Sequence, residues 1–230
     1  MAEPRIVVLA GRGRYEDPWH DHAATSHRLA VLLAEVGGRP TAVDVRSTFP
    51  DALHELDDVD LLVVNSGTSW DGFREAGIGP DAGEWVPFHS RIDAWARAGG
   101  RVLAVHQAAN TFDDAPGFSE VLGGRWVEGR STHPLIGPAT LELDGAHPVT
   151  QGLGGVDVFD ERYCFLEVAP SSQVLGWVTD DDGVRHPALW VTEAHGGRTV
   201  YSGLGHDVRS YDSPSHREVL LRAAEWLLST

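Results

Sequence analysis

GGRVLAVHQAANTF, residues 99–112, passes from a glycine pair through the run RVLAV into a polar pair, His106–Gln107, and then into small residues. A short apolar run bounded by turn signals reads as a strand buried on both faces, the kind found in parallel sheets. Open parallel sheets gather ligands outside the carboxyl ends of their strands. In many α/β enzymes the residue at that spot is the nucleophile. A histidine there therefore decides whether the chain is a hydrolase, another enzyme or a binder.

The flanking sequence has the matching rhythm. RIVVLAG (residues 5–11) is an apolar run closed by glycine, and ATSHRLAVLLAEVGG places Leu29, Leu32, Leu33 and Val36 at helical spacing, with Thr25 or Ser26 as cap and Gly37–Gly38 as stop. PTAVDV (40–45) and VDLLVVNSG (59–67) read as two more strands, joined by a short helical piece over residues 51–56. A helix opening near Pro87 would bury Phe88, Ile92, Trp95 and Ala96 and end at Gly99–Gly100. Strand–helix alternation of this kind predicts an α/β fold, a doubly wound, mostly parallel sheet with right-handed crossovers. After Gly123 the runs shorten and turn signals such as Asp182–Gly183 and Gly196–Gly197 appear, which predicts antiparallel strands added in the C-terminal half. A last helix opens at SPSHRE, with Pro214 in its first turn and Leu220, Ala224, Leu227 and Leu228 inward. No repeat or linker interrupts the chain, so residues 1–230 are expected to form a single domain.

Composition narrows the chemistry. Acidic residues number 34 and basic residues 18, all of them arginine, for a net charge of −16. Without lysine there is no Schiff base, no pyridoxal phosphate linkage and no P-loop lysine. Nucleic acid needs a basic face, so no nucleic-acid partner is expected. No run approaches the roughly 18 apolar residues of a membrane span, and the N-terminus lacks signal-peptide character, so the expected location is the cytoplasm, with no membrane partner. One cysteine, Cys164, leaves no disulfide framework or multi-cysteine metal site. Any metal would sit on histidine and carboxylate.

Four polar loops follow strands: GRGRYEDPWHDH, NSGTSWDG, HQAANTF and HDVRSYD. They can bring His20, His22, His106 and His206 together. GRGR is no dinucleotide fingerprint, because Glu16 stands where the third glycine belongs and the helix starts too late; no nucleotide is expected. His20 and His22, two apart in an extended loop, suit metal ligation, or they are polar neighbours of a helix capped by Asp21. Asp160 and Glu161 point to opposite faces of an extended chain, so one can face a pocket; the plain alternative is a surface acid paired with Arg162. Trp19 and Trp70 lie in strand-end loops where an aromatic face could stack on a sugar. Cys164, within the apolar stretch YCFLEV, reads as a buried structural thiol.

Taken together, PWHDHAATSHRLAVLL, RVLAVHQAANTF, HPVTQGL followed by FDERY, and GGRTVYSGLGHD followed by a serine–proline helix and LLRAAEWL resemble the ThuA-like (trehalose-utilisation) family over almost the whole chain. That resemblance implies the class I glutamine amidotransferase-like variant of the flavodoxin-like fold. In those amidotransferases the strand matching RVLAV ends in a nucleophilic cysteine, completed by a distant histidine and a glutamate two residues beyond it. Here His106 takes the cysteine position, and His206 takes a place like the triad histidine but is followed by Asp207 and Val208. Without a thiolate no acyl-enzyme forms, so glutamine hydrolysis is not expected. The family implies metabolism of trehalose or related disaccharides, including keto-sugars, beside a sugar dehydrogenase.

The expected site therefore has His106, Glu161 and His206 as catalytic groups. Trp19, Trp70, Gln107 and Asp207 are expected to bind substrate. His20, His106 and His206 are the candidate ligands of a divalent metal such as zinc, with a position left for water or a sugar oxygen. The competing expectation is a non-catalytic sugar- or partner-binding protein that kept the fold and lost the nucleophile; a homo-oligomer is compatible with both. Histidines more than about 6 Å apart would weaken the enzyme reading. A residual hydrolase using Ser66 or Cys164 is the third option, although neither residue lies at the elbow.

Overall fold

The computed structural model of the chain describes residues 3–69 and 79–229. Trp70 lies outside the described residues. The strands of the main sheet are β1 (Arg5–Ala10), β2 (Ala42–Ser47), β3 (Leu61–Asn65), β4 (Arg101–Val105), β5 (Gly137–Leu143), β6 (Val156–Asp160), β7 (Gln173–Thr179), β8 (Arg185–Thr192) and β9 (Arg198–Ser202). They join in one sheet in the order β2-β1-β3-β4-β9-β8-β7-β5-β6. From β2 to β9 all pairings are parallel, and from β9 outward all are antiparallel. This is the expected α/β architecture with one refinement. β9 belongs to both halves, because it runs parallel to β4 and antiparallel to β8.

Helices cover both faces, which is why the inner parallel strands β1, β3 and β4 are almost entirely buried, whereas the edge strand β2, AVDVRS, is largely exposed. Along β1, Ile6 and Val8 join a core with Leu29 and Leu33 of α1 (His22–Leu33) and Leu220 and Leu227 of α4 (Pro214–Leu228). Val7 and Leu9 point the other way, into a core with Phe88 and Ile92 of α2 (Ala82–Arg97) and Val121 of α3 (Phe118–Leu122). None of the helices among the described residues is long and apolar enough to cross a membrane.

Several element boundaries differ from the sequence expectation. Helix α1 is capped by Asp21, whose carboxylate accepts the Ala24 N–H, while Thr25 and Ser26 lie inside the helix and bond the buried Asn65 amide. Helix α2 starts at Ala82 under a capping box formed by Asp81 and Glu84, so Pro87 is an interior proline rather than a first-turn one. Residues 51–55 form turns, followed by a 3-10 segment at Leu56–Asp58. Helix α4 opens as expected, with Ser213 accepting the His216 N–H and Pro214 at its start.

The register places the site. Val105 of β4 stands beside Ser202 of β9, so the segments that leave these neighbouring strands carry His106 and His206 to the same end of the sheet. The loop after β1 and the end of β6 open there too.

Candidate functional site

His106 is the first residue past β4, and its backbone lies in the left-handed region at φ 46°. A non-glycine residue in that region costs about 1–3 kcal/mol and persists only where its surroundings hold it. Two hydrogen bonds do so. The Tyr201 hydroxyl donates to the His106 carbonyl at 2.8 Å, and the His106 Nδ1–H donates to the Gly203 carbonyl at 2.9 Å. The sharp turn aims the imidazole out of the strand end, as the nucleophile elbow of an α/β-hydrolase aims its serine.

Four donors meet at this point. His20, His106, Glu161 and His206 each offer one ligand atom, and these atoms lie within 4.8 Å of one another. His106 Nε2 is 3.2 Å from His20 Nε2 and 3.4 Å from Glu161 Oε2, and His206 Nδ1 is 3.2 Å from the same Oε2. Glu161 does not pair with Arg162, whose guanidinium bonds the Thr179 carbonyl and Asp181. Its neighbour Asp160 faces away and accepts the N–H groups of Gly205 and His206, holding the loop after β9 in place.

Tautomers sharpen the geometry. His20 Nδ1 lies 2.8 Å from the Asp17 carboxylate, which can only accept, so Nδ1 carries the proton and Nε2 presents a lone pair. The same logic applied to His106 and the Gly203 carbonyl leaves a lone pair on its Nε2. The two Nε2 lone pairs therefore face each other. Glu161 Oε2 and His206 Nδ1 are close but poorly aligned for a hydrogen bond, and both are buried without a hydrogen-bond partner. Two imidazole lone pairs converging on a buried carboxylate oxygen, with His206 Nδ1 beside them, form a group that fits a cation.

The charges follow from this company. Burial works against an ionised Glu161, yet His106 and His206 beside it hold its carboxyl well below the usual carboxylate range. Burial also opposes a charged His206, and the Glu161 carboxylate outweighs it, raising that imidazole above its ordinary value. At His20 burial prevails over the Asp17 hydrogen bond and lowers it.

The chain matches the family model described as "Trehalose utilisation" over residues 5–227. It belongs to the ThuA family. Among solved structures, a ThuA-like protein from Parabacteroides merdae is similar to this chain at 19% identity and TM-score 0.79, covering 99% of this chain and 91% of that one. A ThuA-like protein from Bacteroides uniformis is similar at 16% identity and TM-score 0.69, covering 99% and 93%. A glutamine amidotransferase from Thermotoga maritima shares the fold at 9% identity and TM-score 0.60 over 100% of both chains. None of the curated proteins compared matches the chain.

In this ThuA-family chain the other expected site residues are placed differently. Gln107 is buried with both ends of its amide engaged: Oε1 accepts from His22 Nε2 at 3.0 Å, and Nε2 donates to Asp17. It supports His20 through Asp17 and presents no free group to a ligand. Burial pushes His22 down to about 4, so it is a neutral member of this chain of bonds and not part of the quartet. Asp207 bonds Arg209 instead of the cluster. Trp19 stands beside His20 in sequence and is 68% exposed. Ser66 is buried and its hydroxyl is bonded to that of Thr111.

Asp17, Tyr163 and His133 were not singled out by sequence. Although burial raises it, hydrogen bonds from His20 and Gln107 bring the Asp17 carboxyl down to about 2. The Tyr163 ring lies 4.1 Å from the His106 ring. His133 Nδ1 is 3.5 Å from Glu161 Oε1, the oxygen turned away from the quartet. The motif DPWH, an acceptor three residues before a histidine, was the available signal for Asp17.

A second trio, Cys164, Asp180 and His186, also brings its ligand atoms within 4.8 Å of one another. Its bonding differs. His186 Nδ1 accepts the Phe165 N–H at 3.3 Å, so its proton sits on Nε2 and is donated to Asp180 at 2.8 Å. Burial pushes the Cys164 thiol up to about 11, and the thiol donates to the Arg162 carbonyl. This is a closed hydrogen-bond network rather than a set of converging lone pairs, and its thiol is no nucleophile.

Proposed function

We propose that this ThuA-family protein acts on a carbohydrate, trehalose or a related disaccharide including its keto forms, at a divalent-metal site formed by His20, His106, His206 and Glu161. The observation that carries the reading is the approach of the Nε2 atoms of His20 and His106 to 3.2 Å while the Nδ1 atom of each ring meets an oxygen that can only accept. Ligands about 2.0–2.1 Å from a tetrahedral ion stand roughly 3.3–3.4 Å from one another, so separations of 3.2, 3.4 and 3.2 Å suit zinc. A divalent ion there would supply Lewis-acid polarisation of a sugar oxygen. The residues do the rest: Asp17 and the Gly203 carbonyl hold two imidazoles in the ligand tautomer, and Glu161 supplies the negative charge.

The competing reading is a non-catalytic binder. Donor atoms within 4.8 Å of one another favour the first, because histidines this close can share an atom or a water. The proposal extends to cytoplasmic action beside a sugar-oxidising dehydrogenase and to association of copies of the chain, neither of which the site requires.

The test is metal analysis of tag-free protein and of His106→Ala, followed by incubation of the metal-loaded protein with disaccharides and keto-disaccharides. One ion per chain, lost in the variant, is expected, together with conversion of a sugar. No ion in either protein rejects the metal site. An ion without conversion of any sugar favours the binder.

A further inference from the structure

Glu161 directly follows β6, the last strand of the sheet, which pairs with β5 alone, and His206 stands in the loop after β9. The strands β8, β7 and β5 lie between β9 and β6. Sheet pairing therefore does not fix these two members of the quartet against each other. Contacts between the loop and β6 do so. The Ser213 hydroxyl donates to the Asp157 carbonyl at 2.6 Å, the Arg209 guanidinium lies 4.2 Å from the centre of the Phe159 ring, and Asp160 receives N–H groups of the loop itself.

Of these contacts, the one at Asp160 meets the main chain of both Glu161 and His206. Asp160 is 1% exposed; its Oδ1 accepts the Glu161 N–H at 2.8 Å and the His206 N–H at 3.1 Å, and its Oδ2 accepts the Gly205 N–H at 2.7 Å. A carboxylate only accepts, so three converging donors suit it, and hydrogen bonds to a charged acceptor are the strong ones. An amide in its place would turn its own hydrogens toward at least one of the three. Gly205 lets the loop come this close: its φ is 131°, and a Cβ there would stand 2.9 Å from the Tyr211 hydroxyl and 3.5 Å from the His106 Cβ. His206 faces Glu161 Oε2 through Nδ1, the ring nitrogen nearer the main chain, so a shift of its backbone passes to that atom over a short lever.

We infer that Asp160 is a positioning residue: by holding the main chain at Glu161 and at His206 on one carboxylate, it sets these two ligands against each other so that they reach an ion as a unit. The inference rests on the metal reading above. His20 and His106 have supports of their own in Asp17 and the Gly203 carbonyl, so Asp160 acts on one half of the quartet.

The test is cobalt binding by the full-length wild type, Asp160→Asn, His206→Ala, the double variant and Ser213→Ala, read as affinity and as visible absorption, with a urea midpoint for each. Asp160→Asn should bind cobalt about 10–100-fold more weakly and lose the strong visible bands of a four-coordinate ion. In the His206→Ala background the same change should cost at least about twofold less affinity, because part of what Asp160 positions is already gone. Ser213→Ala cuts another link between the loop and β6 and removes the cap of α4, so it should lower the urea midpoint and leave cobalt affinity and spectrum unchanged. Should Asp160→Asn fail to fold, Gly205→Ala disturbs the same link with the carboxylate intact; it should weaken cobalt binding, and Tyr211→Phe, which removes the hydroxyl facing the new Cβ, should restore part of the loss. Wild-type affinity and spectrum in Asp160→Asn or in a folded Gly205→Ala, full additivity in the double variant, or an equal loss in Ser213→Ala would overturn the role of Asp160 alone. A wild type that binds no cobalt would overturn it together with the metal reading.

Discussion

The Nε2 atoms of His20 and His106 face each other at 3.2 Å, and each ring has its proton on the opposite nitrogen, committed to Asp17 in one case and to the Gly203 carbonyl in the other. Two buried lone pairs at this distance repel unless a cation stands between them. Removing either imbalance should be visible. His20→Ala and His106→Ala should each reduce affinity for cobalt or zinc by more than the roughly 10–100-fold that loss of an outer partner costs. Competition titration against a chromogenic chelator measures this. Affinities within a factor of two of wild type would contradict the assignment.

Asp17 acts on the same relationship from outside. With Asn at this position, a side-chain amide can offer its own hydrogens to His20, and the tautomer that frees Nε2 loses its support. Asp17→Asn is therefore expected to lower metal affinity about 10–100-fold while leaving the fold intact. Far-ultraviolet circular dichroism alongside the titration separates this from unfolding.

Gly67 secures the support one step further back. A Cβ there would overlap the Gln107 side chain. Gly67→Ala should displace Gln107 from Asp17 and His22, destabilise the protein by about 1–3 kcal/mol and weaken metal binding together with stability. Urea denaturation and the same titration provide the two readings; a stability loss with unchanged affinity would show that Gln107 does not support His20.

The inner parallel strands were legible because they are apolar runs ended by glycine or a polar residue, as in RIVVLAG and RVLAV. The quartet was legible for a related reason: His106, Glu161 and His206 follow strand ends closely and His20 lies in the loop after β1, where topology gathers side chains. What stayed hidden depends on long-range bonds. Nothing local tells that Gln107 has both ends of its amide used by His22 and Asp17, which makes it a support and not a ligand group. His133 lies in a loop without flanking periodicity, so its approach to Glu161 has no sequence signature. The start of α2 was misplaced because Pro87 resembled a first-turn proline, whereas the capping box of Asp81 and Glu84 sets the start earlier.

Acid should destabilise the fold through buried histidines that are not members of the quartet. Burial lowers His216 below its ordinary value of 6.5, and it lowers His195 as well. A histidine lowered in the folded state stays neutral while the unfolded chain takes up protons near pH 6.5. The unfolded state then binds more protons, so stability falls as pH drops below that value, by at most about 1.4 kcal/mol per pH unit for each such group. His216→Gln should flatten this slope between pH 7 and pH 5. Urea midpoints of both proteins, taken with chelator present, test the difference, and parallel slopes would contradict it.

A metal held by His20, His106, His206 and Glu161 would be seen by anomalous diffraction from crystals of the tag-free protein soaked with zinc. One strong anomalous peak is expected in contact with His20 Nε2, His106 Nε2, His206 Nδ1 and Glu161 Oε2, and none at Cys164, Asp180 and His186. No peak at the quartet, or a peak only at the cysteine trio, would contradict it.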